Sequence, residues 1–520
     1  LGPYILQDSD PTGYWFLLKL RDDWQRTSVG VWCQDAGLLP GPKYILAVAH
    51  ETEESKILAQ SRHELDWIFD VTTESWLALR GLSATSRSWF KDYPWIFPYD
   101  CTARGIFLNC AKYPYNITDV RWALALAINA TEVMITAFDG CQIFVPVPAG
   151  MAYPVFKKWQ LGLKDALLEF TLTLPDGSKI KPFDPTLPNK IAEYALSKGY
   201  IEELRFPVEE IWGPGWWKFA PDAAKKLLEA HGFSKGADGK WRLPDGSVWS
   251  ITVNAPTYEL DSTRMSMAVA ECWRKFGIDV TVNVLEGTPF WNEYNYGYFE
   301  VGGYWGLGAQ DPTLVGRVYE GFHSRYYRPE GEYMGIGVRY NSPELDALID
   351  EVMATSPFDP KAEELTRDIL LHLVANMPMI YMFDCKKFSP YDTAYWVGFP
   401  NAANPYWSFL YWCAGAKWIL PHLKPTAAPG VTTVTTTVTT TSTTTATTTR
   451  LTTTTVTTTS VVTTTTTKTA AAETVTTTLT TTREVTVPTM DVASVAGAGI
   501  VALIVGVAAG WFIGSRKKTA

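Results

Sequence analysis

Phe276-Gly277-Ile278-Asp279-Val280-Thr281-Val282-Asn283-Val284 carries the chain from one secondary-structure period to another. Upstream, Asp261-Ser262 opens an amphipathic helix that runs through Cys272 and Trp273 and stops at Gly277, a residue able to take the left-handed conformation that ends helices. Downstream, Val280, Val282 and Val284 alternate with Asp279, Thr281 and Asn283, the period of a half-buried strand. A helix delivered straight into a strand is a unit of an α/β domain.

Working outward, the same punctuation recurs. Pro221 opens a helix through Asp222-Ala223-Ala224-Lys225-Lys226-Leu227-Leu228 that Gly232 closes. Thr118-Asp119 caps a helix containing Arg121-Trp122-Ala123-Leu124-Ala125-Leu126. Ser342-Pro343 and Asp359-Pro360 open two more, and the second leads into Met379-Ile380-Tyr381-Met382-Phe383, an apolar run of strand character.

The other end of the chain reads differently. Residues 425–490 are dominated by threonine with no apolar period, so they offer no face to bury and are expected to be a disordered, solvated stalk and a target for O-glycosylation. Residues 491–514 contain a 23-residue uncharged run from 492 to 514, long enough as a helix to cross a hydrocarbon core of about 30 Å. Arg516-Lys517-Lys518 in the tail 515–520 mark the cytoplasmic side, which places everything before residue 491 outside the cell. No secretory leader precedes Leu1, so the chain is expected to be a fragment or a cleavage product, with a fragment favoured.

Charge and chemistry exclude several function classes. Beyond residue 425, Arg450, Lys468, Arg483, Arg516, Lys517 and Lys518 outnumber Glu473, Glu484 and Asp491 by three, which leaves about −12 of the net −9 on the body. An acidic body without a basic stripe argues against nucleic acid as a partner. The seven cysteines form no CxxC pair or Cys/His cluster, so no metal is expected, and Cys101 with Cys110 is the leading disulfide candidate. His50-Glu51 lacks the second histidine of a zinc protease helix, and no GxSxG, Walker loop or dinucleotide fingerprint is present. No catalytic residue and no cofactor is expected. Asp8-Ser9-Asp10-Pro11-Thr12-Gly13 resembles a calcium loop, but Lys19 stands where the bidentate glutamate belongs, so it reads as a hairpin turn. The cluster of Glu51, Glu53 and Glu54 reads as a solvated helix face.

Aromatic residues are the informative chemistry. The chain holds 22 Trp and 25 Tyr, clustering at Trp212, Trp216, Trp217, Trp291, Tyr294, Tyr296, Tyr298, Tyr304 and Trp305. Their rings can stack on the apolar faces of sugars while indole N–H and phenol groups bond to hydroxyls, and as a group they favour a sugar-lined cleft. Asn116-Ile117-Thr118 and Asn129-Ala130-Thr131 are N-glycosylation sequons, with Asn129 in a predicted helix and so the poorer candidate.

Five segments in order resemble the extracellular solute-binding proteins of the dipeptide and oligopeptide class (family 5), the capture subunits of ABC importers. Gly2-Pro3-Tyr4-Ile5-Leu6 with Asp10-Pro11-Thr12-Gly13 and Arg21-Asp22-Asp23-Trp24 resembles the family's first strand and turn. Asp119-Val120-Arg121-Trp122-Ala123-Leu124 with Ala127-Ile128-Asn129, and Ala220-Pro221-Asp222-Ala223-Ala224-Lys225-Lys226-Leu227-Leu228, resemble two of its helices. Phe276-Gly277-Ile278-Asp279-Val280 resembles a turn into a strand, and Trp305-Gly306 through Asp311-Pro312 with Asn341-Ser342-Pro343-Glu344-Leu345-Asp346 resembles its last two motifs. The resemblance implies a two-lobed hinged α/β fold of the periplasmic-binding-protein type: 1–105 part of lobe I, 106–383 lobe II and 384–424 a return to lobe I. It implies a non-enzymatic protein that takes up an oligosaccharide or oligopeptide for ABC permease subunits. The cleft residues expected are Asn109, Trp291, Tyr304, Trp305, Gln310 and Asp311. Family members carry a long segment before the first strand, so that missing amino-terminal portion is a further expected partner.

One position departs from the family. Peptide-binding members hold the ligand's ammonium with an aspartate three residues before the Asp-Pro pair, and Gly308 stands there in this chain. A neutral oligosaccharide needs no such counter-charge, and oligosaccharide binders with a stalk and carboxy-terminal anchor are found among the family's archaeal members. The alternative is a structural or adhesive cell-surface protein that reuses the fold.

Overall fold

The computed structural model describes residues 2–96, 101–306, 308–309, 311–384, 386, 388–408 and 415–426, together with the backbone of three strands farther on. The chain begins with an antiparallel sheet in the order β1 (Tyr4–Ser9), β2 (Trp15–Leu20) and β3 (Tyr44–Val48). The Asp8–Gly13 stretch is the expected hairpin turn: the Asp10 carboxylate accepts from the backbone N–H groups of Thr12 and Tyr14. No residue of these three strands is buried, and Leu6 (61% exposed), Leu46 (59%) and Phe16 (45%) lie open to solvent.

Two helices follow, α1 (Glu53–Ser61) and α2 (Thr73–Leu82), each capped by a threonine hydroxyl. Glu53 does more than solvate a helix face. Its carboxylate accepts from the Thr72 N–H (2.7 Å), the Thr72 hydroxyl (2.9 Å) and the Ser75 hydroxyl (2.6 Å), clamping the start of α2 onto α1.

The chain then enters its main sheet through β4 (Ala103–Leu108), six residues that are all buried. Helices α3 (Thr118–Leu126), α4 (Ala130–Phe138) and α5 (Pro221–Ala230) pack outside it. The helix-to-strand unit follows as β5 (Ser250–Pro256), α6 (Leu260–Phe276) and β6 (Asp279–Leu285). Gly277 closes α6 at φ +106°, where a side chain would also meet the Gly239 carbonyl at 2.4 Å, so glycine is required twice over. Then come α7 (Gly287–Tyr296), β7 (Val301–Trp305), α8 (Pro343–Ala354), α9 (Pro360–Asn376) and β8 (Met379–Asp384). Ser342 and Asp359 cap α8 and α9 through their side chains.

The sheet order is β6-β5-β7-β4-β8, with β5 parallel to both β6 and β7, and β4 antiparallel to β7 and β8. Residues 67–86 bond back onto 388–392, with the Ile68 N–H on the Pro390 carbonyl and the Val71 N–H on that of Phe388. The core is continuous from Ile57 to Phe388. Trp212, Trp216 and Trp217 belong to it, each no more than 1% exposed, and the indole N–H of Trp216 donates to the Tyr381 carbonyl at 2.7 Å. These three rings therefore pack the interior instead of lining a cleft. Cys101 and Cys110 are not joined: β4 runs extended between them, spanning about 20 Å at ~3.3 Å per residue, whereas a disulfide needs Cα atoms within about 7 Å.

Residues 1–426 form one compact unit and 427–520 a second. In the second, Thr439–Thr441, Thr455–Thr467 and Thr474–Thr486 are strands of one antiparallel sheet. The expectation of a tract without regular structure is not met over those residues; threonine is β-branched and favours extended backbone. The expected membrane segment 491–514 lies outside the described residues. Among the described residues no single helix is long and apolar enough to cross a membrane; α3 and α4 pass that test only as a pair bent by 61°, and both are built into the core.

Candidate functional site

Strands β5, β6 and β7 run the same way, so their carboxyl ends share one edge of the sheet, the place where open α/β sheets leave a crevice. Arg104 sits at that edge opposite Trp305 in the β4–β7 register. Its side chain is fully buried; Nη2 lies 2.8 Å from Glu259 and 2.6 Å from Asp261, and Nε donates to Asp261 at 2.7 Å. Both acids flank the first turn of α6, where the helix dipole also favours negative charge. Asp70, from the loop before α2, brings a third carboxylate oxygen within 4.8 Å of the other two. Such a trio has the spacing of a cation site, but the Arg104 guanidinium already binds two of its members.

Aromatic side chains cover the same edge. Tyr304 is 2% exposed and meets Trp291 edge-to-face at 5.1 Å, Phe290 at 5.2 Å and Trp305 at 5.0 Å. The Tyr258 hydroxyl donates to that of Tyr304 at 3.0 Å, and burial pushes the Tyr304 phenol well above its ordinary range. The outward surface belongs to Trp305 (39% exposed) and Tyr258 (42%), with Trp291 partly buried behind them. Trp305 thus presents an aromatic face held rigidly by a packed layer beneath.

Three residues beyond Asp261 in α6, Arg264 donates to both oxygens of Glu74 in α2, at 3.1 and 2.8 Å. This pair holds the Glu74 carboxyl below its ordinary value. Between α6 and residues 70–73 lies a cavity of about 30 Å³, walled also by Phe138, Gln142, Phe388 and Lys386. Lys386 and Asp384 are wholly buried 3.7 Å apart, and the lysine donates to the Cys141 carbonyl at 2.8 Å. Burial lowers the Lys386 pKa.

The structure brings together Trp291, Tyr304 and Trp305 of the expected cleft residues. Asn109 stands at the opposite end of β4, with its amide donating to the Gly297 and Phe299 carbonyls and its oxygen accepting from the Ala111 N–H, so it is spent on loop geometry. Asp311 is exposed in a turn, accepting from the backbone and hydroxyl of Thr313. Gln310 lies outside the described residues. Sequence reading missed Arg104, Glu259, Asp261, Asp70 and Tyr258. A usable signal was a charged residue inside the otherwise apolar stretch 103–108, and acids at the start of a helix that follows a parallel strand. Gly308 leaves no room for any side chain: a Cβ there would lie 1.8 Å from the Cys101 carbonyl oxygen and 2.9 Å from the Thr102 Cα.

Residues 1–321 match the family described as bacterial extracellular solute-binding proteins, family 5 middle. Among solved structures, the mannohexaose-bound periplasmic oligopeptide-binding protein of Thermotoga maritima is similar at 19% identity, over 82% of this chain and 69% of that one, with a TM-score of 0.61. The oligopeptide-binding protein AppA of Bacillus subtilis, in complex with a nonapeptide, is similar at 14% identity over 78% of this chain and 64% of that one, TM-score 0.53. NikZ of Campylobacter jejuni, in complex with Ni(L-His), is similar at 13% identity over 81% and 67%, TM-score 0.52. No curated protein matches. At these identities the likeness fixes the fold, and the spread from sugar to peptide to metal chelate leaves the ligand class to the site itself.

Proposed function

Because the chain belongs to the family 5 extracellular solute-binding proteins, we propose that it captures a neutral oligosaccharide outside the cell and passes it to the permease of an ABC importer. The observation that carries this reading is Trp305, 39% exposed on the carboxyl lip of β7 and backed by the buried Tyr304. A flat ring on a rigid support suits the apolar face of a pyranose, and the Tyr258 hydroxyl beside it suits a sugar hydroxyl. Gly308 supports neutrality, since no carboxylate can be built at that backbone position without moving residues 101–102. The mannohexaose in the Thermotoga relative is in keeping with this class.

Residues 1–105 and 384–424 then form one lobe and 106–383 the other, joined where β4 and β8 run side by side. Ligand pockets measure about 300–1,000 Å³, far more than the 30 Å³ between α6 and residues 70–73, so the lobes part to admit ligand and the Glu74–Arg264 pair breaks as they do. Residues 491–514 anchor the protein in the membrane, with the threonine-rich tract 425–490 as its stalk and 515–520 inside. A second reading, an oligopeptide ligand, is favoured by the acidic side chains of Asp70, Glu259 and Asp261 gathered at this edge, a chemistry that suits a peptide ammonium.

Isothermal titration of the full chain in detergent against mannohexaose, maltohexaose, cellohexaose and short peptides tests the proposal. Micromolar binding of at least one sugar is expected. Binding of peptides alone would support the second reading, and no heat with any of them would leave an adhesive or structural surface protein as the better account.

A further inference from the structure

The two sequons fall in contrasting settings. Asn116 is exposed in a turn, held through its backbone N–H to the Lys112 carbonyl, and its side-chain amide makes no hydrogen bond among the described residues. Ile117 after it is extended at φ −95°, ψ 119°, so the first two residues of the sequon precede the helix and only Thr118, its first residue, belongs to it. The Thr118 hydroxyl accepts from the Arg121 guanidinium at 2.9 Å and is only partly buried.

Asn129 is engaged on both sides of its amide. Its oxygen accepts from the Glu132 N–H at 3.3 Å as the cap of α4, and its nitrogen donates to the Glu132 carboxylate at 3.4 Å. Glu132 is in turn paired with Lys275 at 2.5 Å. Ala130 and Thr131 are already helical, and the Thr131 hydroxyl is buried with no hydrogen-bond partner among the described residues. A sequon wound into a helix, with its hydroxyl inside the protein, cannot present the extended tripeptide that a glycosyl transfer needs.

We propose that Asn116 carries an N-linked glycan and that Asn129 does not. The donor is a lipid-phosphate-linked oligosaccharide: a bond forms between Asn116 Nδ2 and the anomeric carbon, the carbon–oxygen bond to phosphate breaks, and the amide proton leaves with the phosphate. The position is compatible with ligand capture. Segment 109–116 follows β4 at the end opposite Arg104, where Lys112 bonds to the Tyr298 carbonyl, so a glycan there projects from the pole of the sheet away from Trp305.

The inference rests on the extracellular placement in the proposed function and not on the ligand. The test uses the full chain made in its own host. Protease treatment of intact cells reports surface exposure, and mass spectrometry of peptides spanning Asn116 and Asn129 reports modification. A glycan mass on the Asn116 peptide, an unmodified Asn129 peptide, loss of the glycan in Asn116→Gln and its retention in Thr118→Ser are expected. Surface-exposed protein with an unmodified Asn116, or with a glycan on Asn129, would overturn the proposal and leave ligand capture standing. Protein that is neither exposed nor modified would overturn both placements, and titration of Asn116→Gln with sugars would still report on binding alone.

Discussion

Replacing Trp305 by alanine is the most direct challenge to the site. A tryptophan side chain offers up to about 250 Å², and Trp305 is 39% exposed, so roughly 100 Å² of ring remains for a ligand to cover. At ~25 cal/mol per Å² full coverage is worth about 2.5 kcal/mol. Since 1.4 kcal/mol is a factor of ten, the largest expected loss is about sixty-fold in Kd, and partial coverage brings it toward ten-fold. Trp305→Phe keeps a ring and should lose only a few-fold. The assay is isothermal titration with the tightest sugar found, under conditions where far-UV circular dichroism shows each variant folded. Because the covered part of the ring packs on Tyr304, Trp305→Ala should also lower the urea midpoint, and Trp305→Phe should lower it less. An alanine variant that binds as tightly as the parent, with its fold intact, would refute the assignment of this lip as the binding surface.

Three further outcomes follow from the same geometry. Gly308→Ala should lower stability by about 1–3 kcal/mol or more, because its Cβ meets the Cys101 carbonyl oxygen at 1.8 Å; an unchanged urea midpoint would show that the contact yields freely. The Glu74–Arg264 coupling, measured by a double-mutant cycle with Glu74→Gln and Arg264→Gln, should be modest at about 0.5 kcal/mol because both groups reach solvent. Glu74 is held below its ordinary 4.5, so the coupling is fully present above that value and fades as pH falls through the lowered one; a coupling that grew toward pH 3 would contradict this. In hydrogen exchange, amides of β1, β2 and β3, where no residue is buried, should exchange orders of magnitude faster than those of β4 and β8, where every residue is; equal protection would be inconsistent with that burial.

The helix-to-strand units were legible because their signals are local. Gly277 must be left-handed, Pro221, Pro343 and Pro360 sit in first turns, and the valines of β6 alternate as a strand facing one way must. The tryptophans show where locality stops helping: Trp212, Trp216 and Trp217 look in sequence like Trp291 and Trp305, and only topology decides that the first three fill the core while Trp305 stands open. The ion cluster was illegible for the same reason. Arg104, Glu259, Asp261 and Asp70 come from segments separated by up to about 190 positions, and no period links them; they meet because antiparallel β4 carries Arg104 to the edge where parallel β5 hands the chain to α6. Asn109 stands apart from the other expected cleft residues by the converse argument. It lies five residues from Arg104, but five residues of extended strand span about 16 Å, enough to move it from the edge of Arg104 and Trp305 to the opposite pole. Closeness in sequence therefore misled where a strand intervened, and the aromatic residues that did meet were those on consecutive turns of chain around a single strand end, Trp291 in α7 and Tyr304 with Trp305 in β7.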